Sequence, residues 1–129
     1  MLLLMLLPSL CTSVHASSNL LPIGTFDGDV YMYDSDVKEA NGIKLVWVFT
    51  KSQRFNLTDD KDYGGAAGRF GISCSTQTSV FLSGMTITSK GKIIQSGEVP
   101  EKKWNIVPII GGTPQSALYF MLCQKHIPI

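Results

Sequence analysis

The first sixteen residues constrain this chain most, because they decide which part of it folds. Residues 1–16 contain no Asp, Glu, Lys or Arg and end in Val14-His15-Ala16, a small-x-small pattern typical of a signal-peptidase site. The apolar stretch Leu2–Leu10 is far shorter than the roughly 20 apolar residues that cross a bilayer. The pattern therefore predicts a signal peptide over residues 1–16 and an exported protein.

Two features of this leader leave alternatives open. Nothing basic precedes Leu2, although a signal peptide usually begins with Lys or Arg. The alternatives are a translation start further upstream and a buried N-terminal apolar strand or helix. Cys11 is a second question, because lipidation requires a small residue just before the cysteine. Leu10 is not small, so the sequence favours cleavage after Ala16 over lipidation of Cys11.

Removing the leader leaves two of the three cysteines, Cys74 and Cys123. An even pair in an exported chain is typical of a disulfide. The bond would close a loop of about 50 residues, and the chain-entropy relation gives such a loop about 4 kcal/mol of stabilisation. The alternatives are two free thiols or half a metal site, although no CxxC or Cys/His cluster accompanies the pair.

Length and charge limit the organisation and the partners. The chain has 129 residues and a formal net charge of +1, which suits one domain and gives no electrostatic case for nucleic acid or an anionic membrane surface. Residues 17–28 show no clear period, so we expect an N-terminal arm there. A single domain should then cover residues 29–129.

Short alternating segments between turn residues predict an antiparallel sheet of about five or six strands. The clearest strand is Ile43–Thr50, which follows a hairpin turn at Asn41-Gly42. Its alternation places Trp47 on one face with Ile43, Leu45 and Phe49, and we expect Trp47 to lie in the core. Other strands are predicted over residues 30–33, 69–78 and 80–88, and again from Ile93 and near Trp104.

Helix signals occur only near the C-terminus. Thr113 is suited to be the N-cap and Pro114 the first helical residue. Apolar residues follow at helical spacing, and Cys123 lies near the end of this segment. A run of strands followed by one helix predicts an α+β fold, in which an antiparallel sheet packs against a C-terminal α-helix and a single Cys74–Cys123 bond joins the two.

The polar, Gly-rich stretch Lys51–Gly68 is expected to be a long, mobile loop. Because it has aromatic and acidic side chains and no role in the core, we take it as a candidate surface for binding a partner. Its acidic residues lack the spacing of an EF-hand, which favours a solvated loop over a Ca²⁺ site. The candidate contact residues are Phe55, Asp59, Asp60, Asp62 and Tyr63.

No group of residues indicates catalysis. A nucleophilic Ser or Cys needs a base beside it, and the one His beyond the leader, His126, lies three residues from the end of the chain. Asp34 and Asp36 flank Ser35 at a strand end, where turn formation accounts for them. We therefore predict a protein that is not an enzyme, with no catalytic residues, no cofactor and no metal.

Several motifs follow an order that resembles a known family. They are Tyr31–Asp34, Asn41-Gly42, Val46-Trp47-Val48, Ile72-Ser73-Cys74, Trp104, Pro108, residues 112–116 and Cys123. A tyrosine–aspartate element, a Gly turn, a valine–tryptophan strand, a strand with a single Cys and a closing helix with the last Cys are similar to the surface-adhesin protein E family of Gram-negative bacteria. The resemblance covers most of Gly28–Cys123.

This resemblance implies an exported cell-envelope protein that binds other proteins in the manner of an adhesin, without catalysis. The implied partners are host-matrix or envelope proteins, and neither nucleic acid nor a transmembrane segment is expected. The implied location is the periplasm or outer surface of a Gram-negative bacterium. The alternative is a periplasmic structural or accessory protein that is not exposed at the surface.

The leader makes a prediction that can be checked on exported protein. Because Val14-His15-Ala16 fits the peptidase site, N-terminal sequencing should begin at Ser17. Recovery of a chain that still carries Leu2–Leu10, or of a diacylglycerol on Cys11, would contradict it.

Overall fold

The computed structural model describes residues 19–52, 63–88, 92–125 and 127. Within them, an antiparallel sheet is followed by one C-terminal α-helix, which confirms the predicted α+β class. A 3-10 turn covers Glu101–Lys103, and the helix α1 covers Pro114–Cys123. The strands are β1 (Leu20–Phe26), β2 (Asp29–Asp34), β3 (Lys38–Ala40), β4 (Ile43–Ser52), β5 (Tyr63–Ser73), β6 (Thr78–Thr88), β7 (Ile93–Glu98) and β8 (Ile106–Pro108).

The strands form one antiparallel sheet that curls into a half-barrel. Its order is β1-β2-β4-β5-β6-β7, with β3 paired to β4 and β8 paired to β6. The predicted Asn41-Gly42 turn is confirmed, because both residues have positive φ (54° and 78°) and Ala40 pairs with Ile43 across the turn. In this order β1 and β7 lie at the two ends of the sheet.

Local sequence sets both ends of α1. The Thr113 hydroxyl accepts a hydrogen bond from the Ser116 N–H (3.2 Å), and the Ser116 hydroxyl oxygen accepts one from the Thr113 N–H (3.1 Å). Together these bonds form a capping box, and Pro114 is the first helical residue. Gln124 then adopts the left-handed conformation that ends the helix. The predicted helix and its cap are confirmed.

Two interactions hold α1 on the sheet. The Cys74–Cys123 disulfide, predicted from the sequence, joins the residue after β5 to the last residue of the helix. The fully buried Tyr119 donates its hydroxyl proton to the Cys74 carbonyl oxygen at 2.7 Å. We call the sheet face that α1 covers the helix face, and the opposite one the outer face. The buried core on the helix face consists of Ile23, Val46, Val48, Ile72, Ile109, Leu118 and Tyr119.

The expectation that Trp47 lies in the core is wrong. Val46 is 1% exposed and Val48 is also buried, whereas Trp47 and its neighbours on the outer face are only half-buried. Both faces of β4 are rich in apolar residues, so alternation alone did not decide between them. The helix, held by Cys74 and Tyr119, covers the face of Val46 and thereby decides it.

Two segments expected to be irregular form strands. The N-terminal arm expected over residues 17–28 contains β1, which pairs with β2 from Leu20–Asp34 to Phe26–Asp29. The prediction of a loop over Lys51–Gly68 is wrong at both ends, because β4 continues to Ser52 and β5 begins at Tyr63. Gly65 allows β5 to lie close to β4, because a Cβ at this position would collide with the Thr50 carbonyl oxygen.

The described part of the chain includes no helix that is both long and apolar enough to cross a membrane. Its one α-helix has ten residues and lies against the sheet.

The disulfide should carry a large share of the stability. Replacing both cysteines (Cys74→Ser with Cys123→Ser) removes the cross-link between residues 49 apart and should lower the free energy of unfolding by about 2–5 kcal/mol. Urea unfolding followed by far-UV circular dichroism measures this loss. Reductant should destabilise the native protein by a similar amount and leave the double variant unchanged. A loss below about 0.5 kcal/mol would mean that the packing of α1 does not depend on the bond.

Candidate binding groove

An open groove of about 550 Å³ lies on the helix face, on the part of the sheet that α1 leaves uncovered. One side is formed by Pro114, Gln115 and Leu118 of α1 together with Ile23 and Tyr31. The other side is residues 95–99, in and after β7, and the floor belongs to β4, β5 and β6. The groove thus lies between the helix and one end of the sheet.

The floor of this groove is a row of glycines that crosses three neighbouring strands. Gly68 of β5 pairs with Gly84 of β6, and Gly84 pairs with Gly97 of β7. Residues directly opposite each other in antiparallel strands share a face, so the three positions form a continuous strip without side chains. None of them has positive φ. Backbone conformation therefore does not account for the glycine row.

Two phenylalanine rings lie over the first two glycines. Phe70 and Phe81 pack edge to face with ring centroids 5.4 Å apart. A Cβ at Gly68 would be 2.9 Å from Phe70 Cε2, and one at Gly84 would be 2.8 Å from Phe81 Cζ. Phe81 nevertheless stays 44% exposed. The floor therefore presents aromatic surface to whatever enters the groove.

Gly97 differs from the other two glycines. A Cβ built there would meet nothing within 4 Å, so the groove is open where it reaches β7. Gly97 is also the one member of the glycine row for which ring packing gives no structural reason. A glycine inside a strand often marks a place where another chain or a ligand approaches closely.

The outer edge of β7 has no partner among the described residues, where β7 pairs only with β6. The Val99 N–H donates to the Leu82 carbonyl oxygen at 2.8 Å, which sets the phase of hydrogen bonding along the strand. Because alternate residues direct their N–H and C=O groups to opposite sides, Gly97 and Gln95 bond to β6. Ser96 and Glu98 therefore direct theirs away from the sheet.

The chemistry of the lining is apolar apart from a few neutral polar groups. Glu98 is the only Asp, Glu, Lys, Arg or His among the described residues that line the groove, and the register places its side chain at the rim, on the outer face of β7. It takes no part in the ion pairs Lys38–Asp36 (3.2 Å) and Lys44–Glu39 (4.0 Å). Within those ranges no group of three or more His, Cys, Asp or Glu side chains is placed to hold a metal. The arrangement suits the binding of an apolar group beside one carboxylate.

A smaller pocket of about 310 Å³ lies on the outer face, between β4, β5, β6 and the segment after β7. Leu45, Val80 and Leu82 line it, and Trp104 borders it. The Trp104 Nε1–H donates to the Val99 carbonyl oxygen at 2.9 Å, which fixes the indole against the strand end. Because an anchored side chain already borders this pocket, the larger groove is the stronger candidate.

Of the residues proposed from the sequence for partner binding, only Tyr63 is described, and it is not among the described residues that line the groove. Phe55, Asp59, Asp60 and Asp62 fall outside the described residues, so their role stays a prediction. Tyr63 is the first residue of β5 rather than part of a loop. Cys74 and Cys123 are the residues that the sequence placed correctly, and they hold α1 beside the groove.

Sequence reasoning missed the glycine row. Gly68 belongs to the Gly64–Gly68 stretch, which looks like a flexible linker, and Gly84 and Gly97 lie far from it in the sequence. One local signal was available: Gly68 and Gly84 each lie within three residues of a phenylalanine in a strand-like segment. Only the register of three strands, however, brings the glycines into one row.

Comparisons with protein-family models, with curated proteins and with solved structures each found no match. The resemblance to the surface-adhesin protein E family therefore stays a prediction from the motifs, and the groove has to be interpreted on its own geometry.

The glycine row predicts opposite effects for the same substitution at two positions. Gly84→Ala would force the Phe81 ring away and should cost about 1–3 kcal/mol of stability, whereas Gly97→Ala should be neutral or slightly stabilising. Urea unfolding of both variants measures the difference. In a Phe81→Ala background the cost of Gly84→Ala should largely disappear, which a double-mutant cycle detects. Equal effects at Gly84 and Gly97 would contradict this packing.

Proposed function

We propose that the protein is an exported, non-catalytic protein-binding module of the cell envelope, adhesin-like in role, and that it binds through the groove. One observation carries the proposal: an open, apolar groove with an aromatic floor lies directly beside the edge of β7 that has no partner among the described residues. This replaces the Lys51–Gly68 stretch as the favoured contact surface, since part of that stretch belongs to the sheet.

The exposure of Phe81 supports a binding role. Contiguous apolar surface is costly in water, and where a chain retains it beside polar residues it commonly marks a site for another molecule. Phe81 is an exposed aromatic side chain fixed by a neighbouring ring, so it needs little ordering on binding. Rigid aromatic residues of this kind are frequent anchors of protein interfaces.

The lining favours binding over chemistry. Acid–base or nucleophilic catalysis requires at least two cooperating polar groups within hydrogen-bond reach. Among the described residues that line the groove there is a single carboxylate, Glu98 at the rim, beside hydroxyl, amide and apolar groups. Small-molecule enzyme sites usually combine apolar walls with several converging polar groups, and this groove is wide and mostly apolar instead.

The proposal predicts a groove-dependent interaction. Purified residues 17–129 should bind one or more immobilised host-matrix or envelope proteins, and Phe81→Ala should weaken that binding about tenfold because it removes the exposed anchor. Ile106→Ala is the matched control, since it truncates an apolar side chain that is even more exposed and belongs to the smaller pocket on the outer face. Biolayer interferometry measures both affinities, and circular dichroism confirms that both variants fold.

Two results would contradict the proposal: no binding to any of these proteins, or equal affinity for Phe81→Ala and the native protein. Protease treatment of intact cells separates the two locations left open by the sequence. Cleavage from outside supports a surface adhesin, whereas protection together with binding to an envelope protein supports a periplasmic accessory role.

A further inference from the structure

We infer that the groove takes an extended polypeptide segment, which adds as a strand to the outer edge of β7 and inserts alternate apolar side chains over the glycine row. The inference rests on the proposed function and names the chemistry of its partner. It combines three features of the described residues: an edge with unpaired backbone groups, an adjoining space without side chains, and a single carboxylate.

The backbone edge supplies the first contact. Ser96 and Glu98 direct their N–H and C=O groups away from β6, as the Val99–Leu82 bond requires. All six residues of β7 are exposed, and no proline blocks the strand. Natural sheets usually protect such an edge with lysine, proline or a covering segment, and an unprotected edge pairs readily with another strand.

The glycine row supplies the second contact. On a strand added beside β7, the residues opposite Gly97 and Val99 would share the helix face, because directly opposed residues point to the same side. Their side chains would therefore project into the groove, where Gly97 leaves open space and Phe81 offers an aromatic surface. Apolar residues at these alternate positions would fill it.

The charge of Glu98 determines which partner residue is favoured between these two apolar positions. The position opposite Glu98 would share the face of that carboxylate, and opposite charges directly across two strands are favourable. Since Glu98 is the only charged residue among the described residues that line the groove, a Lys or Arg opposite it completes a pattern of apolar, basic, apolar. The partner segment is thus defined by three consecutive positions.

The same carboxylate argues against a fatty acid as the occupant. No Lys, Arg or His among the described residues that line the groove could bind an anionic headgroup, and Glu98 at the rim would repel it. An acyl chain would also cover the outward groups of Ser96 and Glu98 without forming hydrogen bonds to them, which is unfavourable. An extended peptide can place a basic side chain opposite Glu98, and its backbone can form hydrogen bonds to the outward groups of Ser96 and Glu98.

Selection from a random dodecapeptide library tests the inference without a known partner. Residues 17–129 should enrich peptides with apolar residues at alternate positions and a Lys or Arg between them. Fluorescence anisotropy of a labelled selected peptide then measures affinity. Enrichment of peptides without this alternation, or no enrichment, would overturn the inference.

Backbone methylation of the selected peptide tests strand addition directly. Methylation at every second amide should abolish binding, because those N–H groups face β7, whereas methylation at the intervening amides should change the affinity little. Equal loss or equal tolerance at all positions would overturn strand addition, because it would mean that the peptide does not pair through its backbone.

Variants of β7 locate the contact. Gly97→Val fills the open space without meeting any atom within 4 Å and should weaken peptide binding about tenfold or more. Thr25→Val is the matched control, since it places a valine at an exposed position of β1, at the other end of the sheet and outside the groove, and should leave affinity within about threefold. Equal effects of the two variants would contradict insertion into the groove.

Two further variants test the edge and the charge. Ser96→Pro removes an outward N–H while preserving the bonds to β6, and should also weaken binding. Glu98→Lys should change the enriched central residue from Lys or Arg to Asp or Glu. An unchanged preference would refute the role of Glu98, and full affinity of Ser96→Pro would refute pairing through the edge.

These results separate the inference from the proposed function. If Phe81→Ala weakens binding to a matrix or envelope protein while Gly97→Val and Ser96→Pro do not, the binding role holds and strand addition is wrong. If the free protein is a dimer that Ser96→Pro converts to a monomer, a second copy occupies the edge and the inference of a separate partner is wrong. If the native protein binds neither a selected peptide nor any matrix or envelope protein, the inference and the proposed function are both wrong.

Discussion

The attachment of α1 to one end of the sheet determines the rest of this structure. The disulfide from Cys123 to Cys74 and the bond from the Tyr119 hydroxyl to the Cys74 carbonyl oxygen both act at the end of β5. They hold a ten-residue helix over Val46 and Ile72, so that this face becomes the core. A helix of that length spans only about 15 Å, and it leaves the far part of the same face open. The groove is therefore a consequence of where the helix is attached.

The glycine row explains why the open part stays a groove and does not close. Side chains at Gly68 and Gly84 would collide with Phe70 and Phe81, so the rings can lie over the strands only if these positions are glycine. Gly97 continues the same row to the edge of the sheet, where nothing fills the space. Aromatic surface, free space and backbone groups without a partner in the described part of the chain consequently meet at β7. Their combination favours an extended chain as the occupant, because a strand satisfies all three at once.

Local signals in the sequence predicted the elements whose causes are local. The cap at Thr113, the turn at Asn41-Gly42, the disulfide and the α+β class are all confirmed. The core face of β4 could not be predicted, because both faces are rich in apolar residues and the choice depends on a helix some 70 residues away in the chain. The strand over Tyr63–Gly68 also could not be predicted from local sequence. Its glycines are required by neighbouring strands and rings that a side chain would hit, whereas a Gly-rich stretch ordinarily predicts a turn or loop. The glycine row required the register of three strands, which no single-sequence pattern contains.

Amide hydrogen exchange along β7, resolved by residue in NMR spectra, tests the account most directly. In the free protein the amides of Ser96 and Glu98 should exchange at nearly unprotected rates, while those of Gln95 and Gly97 should be protected by their bonds to β6. Saturation with a selected peptide should slow exchange at Ser96 and Glu98. Protection of these two amides in the free protein, or no change on saturation, would contradict an open edge that receives a strand.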